Sequence, residues 1–349
     1  MHSGCRAPRT AIPVDHASMN RYILPVQPPD DAVMKEKERA MDITRLLIHL
    51  SNSVDAFALK PRHVDQIRAA LPEVRITVAE GNSDFLEKLP EADCALVWSF
   101  KPGWYERAPR LKALFTPAAG HDWVAEDPSG RVRTCYGSFH GRIMRESLLS
   151  MMLFFNRRIG QSLDDQSNRI WGRSGYGDCV ALFSQRVMIV GCGSLGRSVA
   201  ELLKAFGAHV TGVKRDPAGF GGTPGIDRMI AFDRLEEELP HADHVVLLLP
   251  GGKGTEGIFT ARHFTAMKQG ACLYNLGRGT CYREADLLAA LDHGPLAGAG
   301  LDVFAEEPLP PSSPLWGRHN VLITPHSSAI SREYIDLFIQ EWLAALRGM

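Results

Sequence analysis

The stretch Val187-Met188-Ile189-Val190-Gly191-Cys192-Gly193-Ser194-Leu195-Gly196 decides the fold. Its apolar start reads as a buried strand, and Arg197 to Phe206 as an amphipathic helix. Each glycine between them has a steric reason. Gly191 permits the tight turn, Gly193 lets backbone amides approach a pyrophosphate, and Gly196 lets helix and strand pack closely. The amides of Ser194 and Leu195 open the helix, whose N-terminus carries partial positive charge for an anion. Glycines at this spacing alone are a weak signal; the strand before and the helix after make them specific.

Downstream, apolar runs recur at Val210 to Val213, Val245 to Leu249, Cys272 to Asn275 and Leu296 to Val303, separated by amphipathic stretches. That alternation predicts an α/β, doubly wound Rossmann sheet that binds a dinucleotide. Lys214 and Arg215 follow the second strand, where a carboxylate would hold the ribose hydroxyls of NAD. Two cations suit a 2′-phosphate instead, so NADP(H) is favoured and NAD(H) is second choice. Asp216 adjoins them and tempers this, and the alternative is a solvated charge pair in a turn. Pro250, closing the Val245 to Leu249 run, joins the cofactor-binding set.

Upstream, Leu46 to Leu50, a helix after Pro61, Arg75 to Ala79, Cys94 to Trp98 and Ala113 to Thr116 predict a second, smaller parallel α/β unit of flavodoxin-like form. Gly141 to Arg158 carries Ile143, Leu148, Met151, Met152 and Phe155 on one face and reads as a helix linking the two units, followed by a loop with glycine and tryptophan. Ser331 to Arg347 reads as a last helix that returns to the first unit. The division expected is residues 42–145 with 327–349 for substrate and 146–326 for the cofactor. Residues 1–41, rich in Pro, Arg and Asp and without hydrophobic period, read as a disordered or non-native tail.

Composition narrows the function. The 349 residues are 45% hydrophobic and 23% charged with a net charge of -1, so there is no basic footprint for nucleic acid. Apolar runs stay well below the roughly 20 residues of a membrane span. The seven cysteines show neither metal-ligand spacing nor a disulfide framework, which fits reduced thiols in the cytoplasm. Cys192 and Cys281 adjoin glycine motifs and read as small buried filler.

Three segments carry chemistry: Asn275-Leu276-Gly277-Arg278-Gly279, Asp302-Val303-Phe304-Ala305-Glu306-Glu307-Pro308, and Thr324-Pro325-His326. Each follows a predicted strand, so an arginine, a carboxylate and a histidine converge at the ligand-facing rim. Singly, each has a plain explanation as a surface charge or loop residue; together they point to a site.

With the glycine motif, these segments resemble the D-isomer-specific 2-hydroxyacid dehydrogenases, glyoxylate/hydroxypyruvate reductase-like, from about Ile43 to the C-terminus. The resemblance implies that Arg278 binds the substrate carboxylate and carbonyl, that His326 is the general acid or base, and that Glu307 partners it. Asp302 would place the nicotinamide carboxamide. Glu307 is preferred to Glu306 because it directly precedes the proline, and it stands where formate dehydrogenases carry glutamine. Reducing a 2-ketoacid needs a proton at the carbonyl oxygen, which an imidazolium supplies, and a planar cation for the carboxylate, which a guanidinium supplies.

Thr116-Pro117-Ala118-Ala119-Gly120-His121-Asp122 resembles the family loop, usually Gly-x-Gly, whose amides grip that carboxylate. Ala119 and Gly120 are the donors expected, whereas Ala118 departs from the pattern and is tolerable only at negative φ. Trp98 is expected to cover the substrate side chain, with core packing as its alternative. His140, at the start of the link helix, stays off the catalytic set. The expectation is an NAD(P)-dependent reductase of small 2-ketoacids, with no metal, a small-molecule partner and, by the resemblance, a homodimer. The alternative is a nucleotide-sensing, corepressor-like interaction protein on the same scaffold.

Overall fold

A strand covered by helices on both faces must be apolar on both faces, and the runs at the centre of this chain obey that rule. Cys94–Val97, Ala113–Thr116, His244–Leu247 and Ala271–Asn275 are buried at every position. The computed structural model describes residues 43–217 and 222–348; the tail read at residues 1–41 lies outside them.

In chain order the first unit holds β1 (Arg45–His49), α1 (Pro61–Ala70), β2 (Arg75–Val78), α2 (Asn82–Lys88), β3 (Cys94–Val97), β4 (Ala113–Thr116) and β5 (Arg133–Tyr136). Its strands pair in parallel in the order β2-β1-β3-β4-β5, the flavodoxin-like winding. Then come α3 (Gly141–Asn156), α4 (Ile159–Asn168), β6 (Arg186–Val190), α5 (Ser194–Ala205), β7 (His209–Lys214), β8 (Arg228–Ala231), α6 (Leu235–Glu238), β9 (His244–Leu247), α7 (Ala261–Ala266), β10 (Ala271–Asn275), α8 (Glu284–Asp292), β11 (Leu296–Leu301) and β12 (Val321–Ile323). These strands form a seven-stranded parallel sheet, β12-β11-β10-β9-β6-β7-β8. Strand order reverses between β6 and β9, which is where a doubly wound sheet opens its ligand crevice. The α/β class read from the sequence therefore holds, with a Rossmann sheet beside the smaller one.

Two helices tie this frame together. On α3, Leu148, Met151 and Met152 are buried among Val187, Ile189, Val199 and Tyr274, so that helix packs on the Rossmann sheet. Burial of each such side chain stabilises the fold by roughly 1.5–3 kcal/mol. The final helix α9 (Tyr334–Gly348) buries Tyr334, Ile335, Phe338, Ile339 and Trp342 with Leu46, Ile48, Leu96 and Phe115 of the first sheet.

The structure differs from the sequence reading where local signals are weak. Strands β5 and β8 are partly exposed sheet edges without a strong apolar run. The link helix stops at Asn156 because Arg158 adopts a left-handed φ of 51°, and α4 follows where a loop was expected.

At the start of β9, within the Rossmann sheet, His244 is buried, with Nε2 2.7 Å from Gln185 Oε1 and Nδ1 3.1 Å from Tyr274 Oη. Gln185 Oε1 also accepts from Asn156 Nδ2 at 2.6 Å, so His244 donates from Nε2 and is neutral. Burial pushes its pKa from 6.5 down to about 4. A depressed folded value means the unfolded chain binds more protons between those limits, so stability present above pH 6.5 is lost as the pH falls toward 4. The melting temperature is expected to drop across that window, and His244→Gln to drop less steeply. Equal slopes in the two proteins would show that this imidazole titrates alike folded and unfolded.

Candidate active site

The glycine turn behaves as its sterics demand. Gly191 has φ +96°, and a Cβ there would lie 2.7 Å from the Leu248 carbonyl oxygen. At Gly196 a Cβ would lie 3.1 Å from the Gly191 carbonyl oxygen and 3.3 Å from Ile189 Cγ2, so that glycine sets the approach of α5 to β6. At Gly193 a Cβ would meet nothing within 4 Å. Gly193 caps α5 without a side-chain hydrogen bond, so the first-turn amides of Ser194, Leu195 and Gly196 are left for an outside acceptor. Open space before unsatisfied helix amides fits a dinucleotide pyrophosphate.

Around this cradle, Lys214 is half-buried at the end of β7, and Arg215 follows it, exposed. The Arg215 guanidinium leans toward the loop after β9, where a Cβ at Gly254 would lie 3.3 Å from its Nη2. Pro250 opens that same loop, exposed, and its carbonyl accepts from Thr255 Oγ1 at 2.6 Å. Cys192 and Cys281 are buried, and burial pushes their thiols up to about 11 and about 12, so they are inert filler.

Three neighbouring strands then deliver the polar groups to one rim. Asn275 of β10 is level with Leu301 of β11, and Leu301 with Ile323 of β12. Arg278, Asp302 and His326 therefore emerge from adjacent strands at the same carboxyl edge. Asn275 pins the first loop, donating to the Arg278 carbonyl at 3.1 Å and accepting from the Gly277 amide at 3.1 Å. The loops after β10 and β11 are in close contact, since a Cβ at Gly279 would overlap the backbone of Phe304.

His326 is joined to Glu307: Nδ1 lies 2.7 Å from Oε2, while the other carboxylate oxygen accepts from the Phe304 amide at 2.9 Å. The imidazole is about half exposed. With Nδ1 held by the carboxylate, Nε2 is the atom presented to a ligand. His326 adopts a left-handed φ of 49°, held by hydrogen bonds from its amide to the carbonyls of Asp302 and Thr324 at 2.8 and 3.0 Å. A non-glycine residue in that region is uncommon and marks a backbone fixed by its surroundings.

Asp302, expected to place a nicotinamide carboxamide, is fully buried, and its carboxylate accepts from Thr324 Oγ1 at 2.6 Å, from the Ser327 amide at 2.8 Å and from the Ser328 amide at 3.0 Å. In this position it anchors the segment that carries His326.

On the facing lobe, the Ala118 amide is taken by Thr116 Oγ1 at 3.2 Å, and the residue keeps a negative φ. Ala119 is exposed and Gly120 half-buried, and their amides make no hydrogen bond among the described residues. Arg278 reaches this loop, with Nη2 3.2 Å from Asp122 Oδ2, a partner that sequence reading missed for want of any local signal. The loop is backed by α9: Tyr334 Oη donates to the Pro117 carbonyl at 3.1 Å and lies 2.8 Å from His140 Nε2. Burial pushes the His140 pKa down to about 4, which makes it a neutral support. Trp98, partly buried, stacks on Tyr334 with ring centroids 5.8 Å apart and donates its indole N–H to the Phe57 carbonyl at 3.2 Å. Those contacts favour the packing alternative for this residue.

Comparisons agree with this geometry. Residues 149–328 match the family described as D-isomer specific 2-hydroxyacid dehydrogenase, NAD binding domain. A glyoxylate/hydroxypyruvate reductase A from Salmonella paratyphi B is 32% identical over 303 residues, covering 81% of this chain and 90% of that protein. A D-isomer specific 2-hydroxyacid dehydrogenase from Xanthobacter autotrophicus, solved with NADPH and MES, superposes with a TM-score of 0.70 at 28% identity, covering 88% of this chain and 95% of that one. An NADPH-dependent glyoxylate/hydroxypyruvate reductase from Sinorhizobium meliloti, solved with NADP and sulfate, gives 0.68 at 28% identity, with 85% and 92% covered. Likeness over that length, on a rim arranged in this way, means that the chain belongs to the D-isomer specific 2-hydroxyacid dehydrogenase family and is an NAD(P)-dependent oxidoreductase.

Proposed function

We propose that this chain is an NADPH-preferring reductase of small 2-ketoacids of the glyoxylate or hydroxypyruvate kind. The observation that carries the proposal is the His326–Glu307 pair on the same strand-end rim as Arg278, which reaches across to the loop of Ala119 and Gly120. In this reading residues 42–145 with 327–349 hold the substrate and residues 146–326 the cofactor. The Arg278 fork and the Ala119 and Gly120 amides bind the carboxylate, leaving the keto oxygen to Arg278 and His326. The reducing equivalent for the keto carbon comes from the dihydronicotinamide when it is bound. His326 gives the proton on Nε2 to the keto oxygen while Glu307 retains the ring at Nδ1. Small residues at 119 and 120 and the short reach between lobes favour small substrates.

Lys214 and Arg215 at the end of β7 support NADPH, as do the relatives that carry NADPH or NADP. A homodimer is supported by apolar residues exposed on and just after α4, among them Ile159, Leu163, Ile170 and Trp171. No helix among the described residues is long and apolar enough to cross a membrane, and the buried thiols of Cys94, Cys192, Cys272 and Cys281, unpaired in disulfides, support a reducing cytoplasm. The alternative of a nucleotide-sensing interaction protein finds no support in the relatives above.

His326→Ala is expected to lower kcat for glyoxylate reduction by roughly 10²–10⁴-fold while NADPH affinity, followed by fluorescence titration, is retained. Turnover equal to the parent protein would remove His326 from the chemistry. Replacing Lys214 and Arg215 together by alanine is expected to weaken NADPH by about tenfold or more and leave NADH unaffected. Equal weakening of both nucleotides would show that these side chains do not read the phosphate.

A further inference from the structure

Arg278 presents five N–H donors, and the structure commits two of its nitrogens within the protein. Nη1 donates to the Gly277 carbonyl at 2.9 Å and Nη2 to Asp122 Oδ2 at 3.2 Å, leaving Nε and one hydrogen on each terminal nitrogen for a substrate. The acid that turns this fork belongs to the opposite lobe, 156 residues away in sequence. It stands two positions beyond Gly120, on the loop whose amides face the same cleft.

The surroundings are shaped for this contact. A Cβ at Gly120 would lie 2.1 Å from Arg278 Nη2, so the guanidinium can lie against the loop only because that residue is glycine. A Cβ at Gly251, after β9, would lie 3.4 Å from both Asp122 carboxylate oxygens and 3.6 Å from Arg278 Cγ. His121, next to Asp122, stacks on Tyr136 with centroids 3.9 Å apart and planes 3° apart, which fixes the loop from its other side. Loops after β4, β9 and β10 thus meet at one ion pair.

We propose that Asp122 is a positioning residue that ties the carboxylate-binding arginine to the lobe carrying the backbone donors, so that both halves of the anion site are held in register. This rests on the reductase reading above. Asp122 does not occupy the substrate's place, because three donors of Arg278 remain; it sets the plane in which they point. Without it the guanidinium is held on one side only and samples orientations that do not match the Ala119 and Gly120 amides. Ketoacid affinity then falls while proton delivery by His326 is preserved.

The test uses the full chain carrying Asp122→Ala or Asp122→Asn. Glyoxylate KM and kcat, oxalate affinity in the presence of NADPH, NADPH affinity and melting temperature are measured for each. Asp122→Ala is expected to raise the glyoxylate KM and the oxalate Kd about fivefold, the size of a half-exposed ion pair, with a smaller rise for Asp122→Asn. kcat, NADPH affinity and melting temperature are expected to stay near parental values, and the rise to vanish in an Arg278→Lys background. An unchanged or lowered KM, or a KM that moves only together with melting temperature and NADPH affinity, would overturn the proposal. Oxalate binding is read without turnover. A parent protein that reduces no ketoacid yet binds oxalate through Asp122 and Arg278 would sink the reductase reading and leave the pairing standing, whereas an active parent whose variants keep its KM would sink the pairing alone.

Discussion

A parallel sheet brings the carboxyl end of every strand to one rim, and the chemistry of this protein depends on that constraint. Residues far apart in sequence become neighbours because β10, β11 and β12 are adjacent and in register at Asn275, Leu301 and Ile323. The glycine cradle lies on the same rim, at the end of β6. The residues proposed for cofactor and for substrate therefore share one edge without any strand having to bend toward the other.

Proximity alone does not orient a histidine. The buried Asp302 carboxylate gathers Thr324, Ser327 and Ser328 around itself, and its carbonyl accepts the His326 amide. That arrangement fixes the backbone on both sides of His326 and holds the left-handed φ, while Glu307 fixes the ring. A buried carboxylate without such donors would be costly, so anchor and loop stabilise each other. The facing lobe follows the same logic: Tyr334 of α9 holds the Pro117 carbonyl, and His140 holds Tyr334.

Much of this was legible in the sequence for physical reasons. The turn at Gly191, Gly193 and Gly196 is a local steric requirement, so its residues announce it wherever a strand and helix flank them. Arg278 and His326 stand at short fixed offsets from apolar runs, which places them on the rim once the sheet is parallel. The offset of Asp302 says that it is near the cofactor, but the direction of its carboxylate is settled by amides two dozen residues on and could not be read locally. Trp98 stayed ambiguous for a similar reason, since a tryptophan at a strand end fits a lid or a core, and its contacts come from α9 and Phe57. Asp122 had no local signal at all: its partner comes from the other lobe. The edge strands β5 and β8 were missed because half-exposed strands need no apolar run.

The most direct test of this arrangement is a crystal structure of the complex with NADPH and oxalate. One oxalate carboxylate is expected on the Arg278 fork and the Ala119 and Gly120 amides, with an oxygen of the other within hydrogen-bonding distance of His326 Nε2. Oxalate bound away from that rim, or His326 turned from it with Glu307 unpaired, would contradict the assignment.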